Sequence, residues 1–135
     1  MDNLIIQGTD VTPSVNFDLN SGIFEISGVS RPEDVIVFYD QPLDWLREFE
    51  DNLFDNPSLK AESPELVIMF KMSYYNSSSS KYLIQILSHL KKIENSGIGV
   101  AVKWYYEEGD EKMREDGEDL ADAVEFDFEY IEYED

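Results

Sequence analysis

The sequence predicts a mixed α/β domain in which helices pack against a central sheet. Two observations support this prediction. Residues 65–72 form a nearly continuous apolar run, which is typical of a central strand buried on both faces. Strand-like and helix-like segments then alternate along the rest of the chain, which is the pattern of a sheet whose strands are joined by crossover helices. A single domain over residues 1–130 accounts for the whole pattern.

The N-terminal part is predicted to form a β-hairpin. Residues 15–18 and 23–27 are both strand candidates, and the sequence Asn-Ser-Gly at 20–22 between them favours a tight turn.

A long helix is expected to follow the hairpin. Ser30 and Glu33 have the spacing of a capping box, and Pro32 fits a first helical turn. Apolar residues at three- and four-residue steps continue this helix to Leu53, with a kink or a new start at Pro42.

Alternating elements are also predicted after the apolar run. In chain order they are an amphipathic helix over 82–93, a strand over 100–106, a weaker helix over 112–123 that Gly117 interrupts, a half-buried strand over 124–130, and an acidic tail over 131–135.

Composition and charge narrow the class of protein. The chain has 30 acidic and 10 basic residues, a formal charge of -20, and no cysteine. Such a surface repels phosphate backbones and anionic lipids, so we expect neither nucleic acid nor membrane as a partner. The first residues lack the basic and apolar regions of a signal peptide, and no apolar run is long enough to span a bilayer. We therefore expect a cytoplasmic protein.

The most informative segment is the run of four serines at 77–80, where the predicted central strand meets the next helix. Binding sites in open α/β sheets lie at the carboxyl ends of strands. One serine is expected to be the N-cap of the helix, which needs only a single hydroxyl. The remaining hydroxyls leave two interpretations open, a purely structural cap or a phosphoacceptor. Tyr74 and Tyr75 flank the run and are candidates for a docking surface.

No enzymatic site is predicted. His89 is the single histidine, and its place beside the apolar stripe of a helix predicts an exposed or rim position. Without cysteine or a second histidine, zinc binding is not expected. The sequence has no phosphate-binding glycine loop and no hydroxyl with an evident base, so we expect no cofactor and no catalysis.

A resemblance to a known family adds to this interpretation. Several short marks occur in a characteristic order and spacing: Gly8-Thr9 with Thr12-Pro13, Gly28 with Ser30 and Pro32-Glu33, Trp45, Tyr74 with Asn76-Ser77-Ser78-Ser79, and Trp104 with Tyr106-Glu107. In these marks the chain resembles the SiaC family of bacterial regulatory phosphoproteins, which are similar to the STAS fold of anti-sigma-factor antagonists. The resemblance therefore implies a single STAS-like domain.

The resemblance also implies a mechanism. The hydroxyl directly after the asparagine, here Ser77, would be phosphorylated by a dedicated kinase and cleared by a PP2C-like phosphatase, with Ser78 as second choice. The unphosphorylated protein would bind and activate a diguanylate cyclase, through a surface formed by Tyr74, Tyr75, Asn76, Ser77, Ser78 and Ser79. The alternatives are partner switching of the anti-sigma-factor-antagonist kind and an unmodified scaffold domain.

Overall fold

The computed structural model describes residues 1–134, which form one six-stranded mixed sheet with four helices. The elements are β1 (Leu4–Ile6), β2 (Ser14–Asp18), β3 (Ile23–Ser30), α1 (Val35–Asp55), α2 (Pro57–Glu62), β4 (Leu66–Tyr75), α3 (Ser77–Asn95), β5 (Val100–Glu107), α4 (Glu111–Val124) and β6 (Phe128–Tyr133). The strands lie side by side in chain order. The pairs β1–β2 and β2–β3 are antiparallel, and the remaining pairs are parallel. The predicted mixed sheet and N-terminal hairpin are confirmed, whereas the STAS-like label stays a prediction.

Only one face of the sheet is fully buried. In β4 the residues Leu66, Ile68, Phe70 and Met72 are buried, whereas the alternate ones are only half-buried. The prediction that this strand is buried on both faces is wrong. Each parallel crossover from β3 onward advances to the next strand in the same direction, and crossovers are right-handed, so α1, α3 and α4 all pack on one side. The other side carries half-buried residues such as Val67 and Met69.

Helix α1 begins later than predicted, because Ser30 is the last residue of β3 and its side chain is buried. The N-cap is Asp34, whose carboxylate accepts a hydrogen bond from the Val37 N–H at 3.1 Å. The predicted capping box at Ser30 is therefore wrong, because the Ser30 hydroxyl forms buried hydrogen bonds with Tyr39 and Ser79 instead.

Pro42 lies inside α1 without ending it. A proline lacks the N–H that would bond to the carbonyl four residues earlier. The side-chain amide of Gln41 donates to that carbonyl, on Phe38, at 3.3 Å. The side chain of Gln41 thus replaces the missing backbone donor, and the helix continues through Pro42. A new helix start at Pro42 was one of the two expectations, and it does not occur.

Helix α4 crosses the sheet in close contact with β5. A Cβ atom on Gly117 would lie 2.5 Å from Cδ1 of Trp104, well inside van der Waals contact. The Trp104 indole N–H donates to the Met113 carbonyl at 2.8 Å, which fixes the ring against the same helix. Gly117 is thus a packing residue in an unbroken helix, and the predicted interruption does not occur.

The last strand begins and ends later than the alternating pattern suggested. Val124 is the final residue of α4, and Phe126 is buried in the connection to β6. Residues 131–133, which we expected in an acidic tail, belong to β6 because Ile131 and Tyr133 pair with β5. Asp135 lies outside the described residues.

Candidate functional site

Asn76 forms the junction between β4 and α3. Its side-chain oxygen accepts hydrogen bonds from the Ser79 N–H at 2.9 Å and from the hydroxyls of Ser79 at 2.7 Å and Ser78 at 3.0 Å. Asn76 is therefore the N-cap, and the prediction of a serine cap is wrong. Asparagine is as good an N-cap as serine, so its place directly after the strand was the signal that sequence reasoning missed.

The four serines occupy different environments although they are consecutive. Ser77 and Ser78 are exposed, Ser80 is half-buried and Ser79 is buried. The Ser78 hydroxyl donates to Asn76, and the Ser80 hydroxyl donates to the Ser77 carbonyl at 2.7 Å. Within residues 1–134 the Ser77 hydroxyl makes no hydrogen bond. Ser77 thus combines exposure with a free hydroxyl, as phosphorylation there requires.

Ser79 belongs to a buried polar network beneath the site. Its side chain is 0% exposed, and its oxygen accepts a hydrogen bond from the Ser30 hydroxyl at 2.8 Å. The hydroxyls of Ser30 and Tyr39 are 2.6 Å apart, which links α3 to β3 and α1. Burial raises the pKa of the Tyr39 phenol. Ser79 cannot touch a docked protein, so its predicted role as a contact residue is wrong.

The two tyrosines before the serines point in different directions. Tyr74 is 50% exposed and remains available at the surface. Tyr75 is half-buried, with its ring edge-on to Trp104 at a centroid distance of 6.2 Å. Burial raises the pKa of the Tyr75 phenol, and the carboxylates of Asp116 and Asp119 raise it further. Of this pair, Tyr74 is the better candidate for a partner contact.

A cleft of about 350 Å³ separates the start of α3 from α4. Its lining includes Ser77, Ser80, Lys112, Asp116 and Asp119. The Lys112 ammonium lies 3.0 Å from an Asp116 oxygen, and this carboxylate raises the pKa of Lys112.

The α4 side of the cleft was missed by sequence reasoning. The carboxyl ends of adjacent parallel strands lie at one edge of a sheet, so the helices after β4 and β5 begin side by side. From that rule, the sequence could have predicted that Lys112 and Ser77 lie close together.

His89 lies far from the serines. Its Nδ1 pairs with a carboxylate oxygen of Glu50 on α1, and the two side chains are 15% and 10% exposed. His89 is half-buried with its ring turned toward α1, so of the predicted exposed or rim positions it has the rim one. Twelve residues of helix, about 18 Å, separate His89 from Ser77, so it cannot act as a base there.

The described part of the chain contains neither a metal-ligand cluster nor a membrane-spanning helix. Residues 1–134 contain no cluster of three His, Asp or Glu side chains arranged to hold a metal ion. Over the same residues, no helix is long and apolar enough to cross a membrane.

Fold and site together define a small α/β domain that exposes an unbonded serine hydroxyl at a strand-to-helix junction. The chain belongs to the SiaC family of regulatory phosphoproteins, whose family model matches residues 6–133. This match confirms the resemblance seen in the sequence. It also confirms the expectation of a regulator rather than an enzyme.

Solved structures and one further relative agree with this assignment. The chain is 28% identical, with a TM-score of 0.82, to a chain in the crystal structure of the diguanylate cyclase SiaD in complex with its activator SiaC from Pseudomonas aeruginosa, covering 96% of this chain and 99% of that one. Against apo-SiaC from the same organism the identity is 27% and the TM-score 0.72, with 98% of each chain covered. An uncharacterized protein of Pseudomonas aeruginosa strain UCBPP-PA14 is 28% identical, covering 95% of this chain and 94% of its own length.

Proposed function

We propose that this protein is a phosphorylation-controlled activator of a diguanylate cyclase. In its unphosphorylated form it binds the cyclase and raises cyclic-di-GMP output, and a phosphoryl group on Ser77 blocks that binding. The observation that supports this proposal most directly is the exposed, unbonded Ser77 hydroxyl at the first position of α3. The family membership and the likeness to SiaC, the activator of SiaD in Pseudomonas aeruginosa, supply the partner class.

The serine environments favour Ser77 over the other serines as the acceptor. Ser78 would have to give up its hydrogen bond to Asn76, and Ser79 is buried. A scaffold whose serines serve only as a cap is disfavoured, because Asn76 provides the cap. A phosphate at the start of a helix also gains from the positive end of the helix dipole.

The effect of the phosphate must be local. It adds a charge of about -1.5 to -2, which is small beside the -20 of the whole chain. The proposed contact surface consists of Tyr74, Ser77 and Ser78, which are exposed, together with the half-buried Tyr75 and Asn76. A doubly charged group in the middle of such a surface would obstruct a docked cyclase directly.

Two modifying enzymes control the state of Ser77. A dedicated kinase transfers the phosphoryl group to Ser77, a PP2C-like phosphatase removes it, and all partners meet in the bacterial cytoplasm. Both enzymes need an accessible hydroxyl, a condition that Ser77 meets. The chain acts as one domain in these encounters, since its strands share one sheet.

The phosphorylation site is tested by mass spectrometry after incubation with the cognate kinase and ATP. The wild-type protein should gain one phosphate, and Ser77→Ala should gain none. The matched control is Ser78→Ala, which removes the neighbouring exposed hydroxyl and should be phosphorylated as the wild type is. Undiminished uptake by Ser77→Ala would contradict the assignment.

The output is tested by cyclic-di-GMP synthesis from GTP by a purified diguanylate cyclase of the SiaD kind. Unphosphorylated protein should stimulate synthesis, and protein phosphorylated on Ser77 should not. Equal stimulation by both forms would contradict the proposed control.

A further inference from the structure

We propose that the phosphoryl group on Ser77 is held by two lysines, Lys81 and Lys112, which form a two-lysine clamp beside the cleft between α3 and α4. The inference rests on the proposed function, since it describes the phosphorylated state of the same site. Lys81 and Lys112 would bind the phosphoryl group only after Ser77 is phosphorylated, since the unmodified protein offers them no such ligand.

Lys81 approaches from the same helix as Ser77. Residues four apart lie next to each other on a helix face, and Lys81 stands four residues after Ser77 in α3. Its side chain is exposed, and its ammonium lies 5.8 Å from the centroid of the Tyr82 ring. Within residues 1–134 it forms no ion pair, so its charge is available to a new anion. None of the other three serines has a lysine at this spacing.

Lys112 approaches from the opposite side of the cleft. It lines the same cavity as Ser77. Its side chain is 84% exposed, so the long aliphatic stem is free to move. An ammonium group has three N–H donors. Lys112 can therefore keep its hydrogen bond to Asp116 while donating to a phosphate on Ser77.

The charges around the cleft make the lysines necessary. Asp116 and Asp119 line it as carboxylates, and the Tyr75 phenol contributes no positive charge. Without Lys81 and Lys112, the charged side chains facing a phosphate here would be the carboxylates of Asp116 and Asp119, whose repulsion opposes the gain from the helix dipole. With both lysines present, the phosphate has a cation on either side. The two cations fix the orientation of the phosphate relative to the proposed contact surface.

The clamp is tested on protein with phosphoserine inserted at position 77 during translation, so that no kinase is required. Phosphorus NMR over a pH series measures the second pKa of the phosphate, ordinarily about 6. A nearby cation favours the dianion and lowers this pKa. Lys81→Gln and Lys112→Gln should each raise it by about 0.2–0.7, the range expected for an exposed ion pair. Because each lysine–phosphate pair is exposed, the difference in phosphate pKa between the variants and the wild type should shrink at high salt.

The matched control is Lys92→Gln, which removes the same charge from the exposed far end of α3, about 22 Å from Ser77 along the axis. It should leave the phosphate pKa unchanged. A pKa in Lys81→Gln and Lys112→Gln equal to that of Lys92→Gln overturns the clamp. A rise in the phosphate pKa seen only in Lys81→Gln also overturns the clamp, because the phosphate would then be held by Lys81 of the same helix without Lys112. Either failure is distinct from failure of the proposed function, which the kinase and cyclase assays measure.

Discussion

Asn76 controls the start of α3 through one oxygen atom. That oxygen accepts hydrogen bonds from a backbone N–H and from two serine hydroxyls. Asn76→Ala removes the cap and should lower the free energy of unfolding by about 0.5–2 kcal/mol. Chemical denaturation measures the loss. Asn76→Asp keeps an acceptor at the same place and should retain most of the stability, so an equal loss in both variants would contradict the capping role.

The four serines also show which features of single residues could be predicted from the sequence and which could not. The strand-to-helix junction could be predicted from the apolar run and the helix pattern, whereas the choice of Ser77 among the four serines comes from the family resemblance. The burial of Ser79 could not, because it depends on which way the first turn of α3 faces. That direction is set by hydrogen bonds to Ser30 and through it to Tyr39, residues distant in the sequence.

At the scale of elements, the contact between α4 and β5 depends on the absence of a side chain at Gly117. Gly117→Ala should gain up to about 1 kcal/mol in helix propensity. It should lose more by overpacking, which costs typically about 1–3 kcal/mol, since Trp104 is fully buried and fixed by a hydrogen bond. We expect a net loss of unfolding free energy in urea denaturation.

The control for this substitution is Glu115→Ala, an exposed position of the same helix. It should leave stability nearly unchanged. A stabilised Gly117→Ala protein would show that the helix can shift away from the indole ring at little cost.

Element boundaries were the least predictable feature of the fold. The order of strands and helices follows from hydrophobic periodicity, and the structure has the predicted order with a short β1 and α2 added. The N-cap of α1 at Asp34 rather than Ser30 and the end of β6 at Tyr133 depend on tertiary contacts, those of the buried Ser30 and of the pairing with β5. A capping sequence or an acidic stretch carries no information about such contacts.

At the scale of the whole molecule, the charge of -20 opposes compaction. Raising the ionic strength from about 0.01 M to about 0.15 M shortens the screening length from about 30 Å to about 8 Å. The free energy of unfolding should therefore rise with sodium chloride over this range, as measured by thermal or urea denaturation.

A variant with fewer negative charges provides the control. Glu48, Glu115 and Glu134 are exposed, and changing all three to glutamine should reduce the salt-dependent gain. A salt response as large as that of the wild type would contradict an origin in overall repulsion.

Because the strands follow one another across the sheet in the order of the chain, the first and last strands form its opposite borders. Five strand spacings of about 4.8 Å place them about 24 Å apart. Leu4 is in register with Phe128, so Tyr133 also lies five residues, about 17 Å, farther along the strand direction. Joining Leu4 to Tyr133 in a circular permutant would thus span about 29 Å and require a linker of about nine extended residues. Cutting the chain in any loop divides the sheet into two contiguous blocks, neither of which encloses a strand of the other.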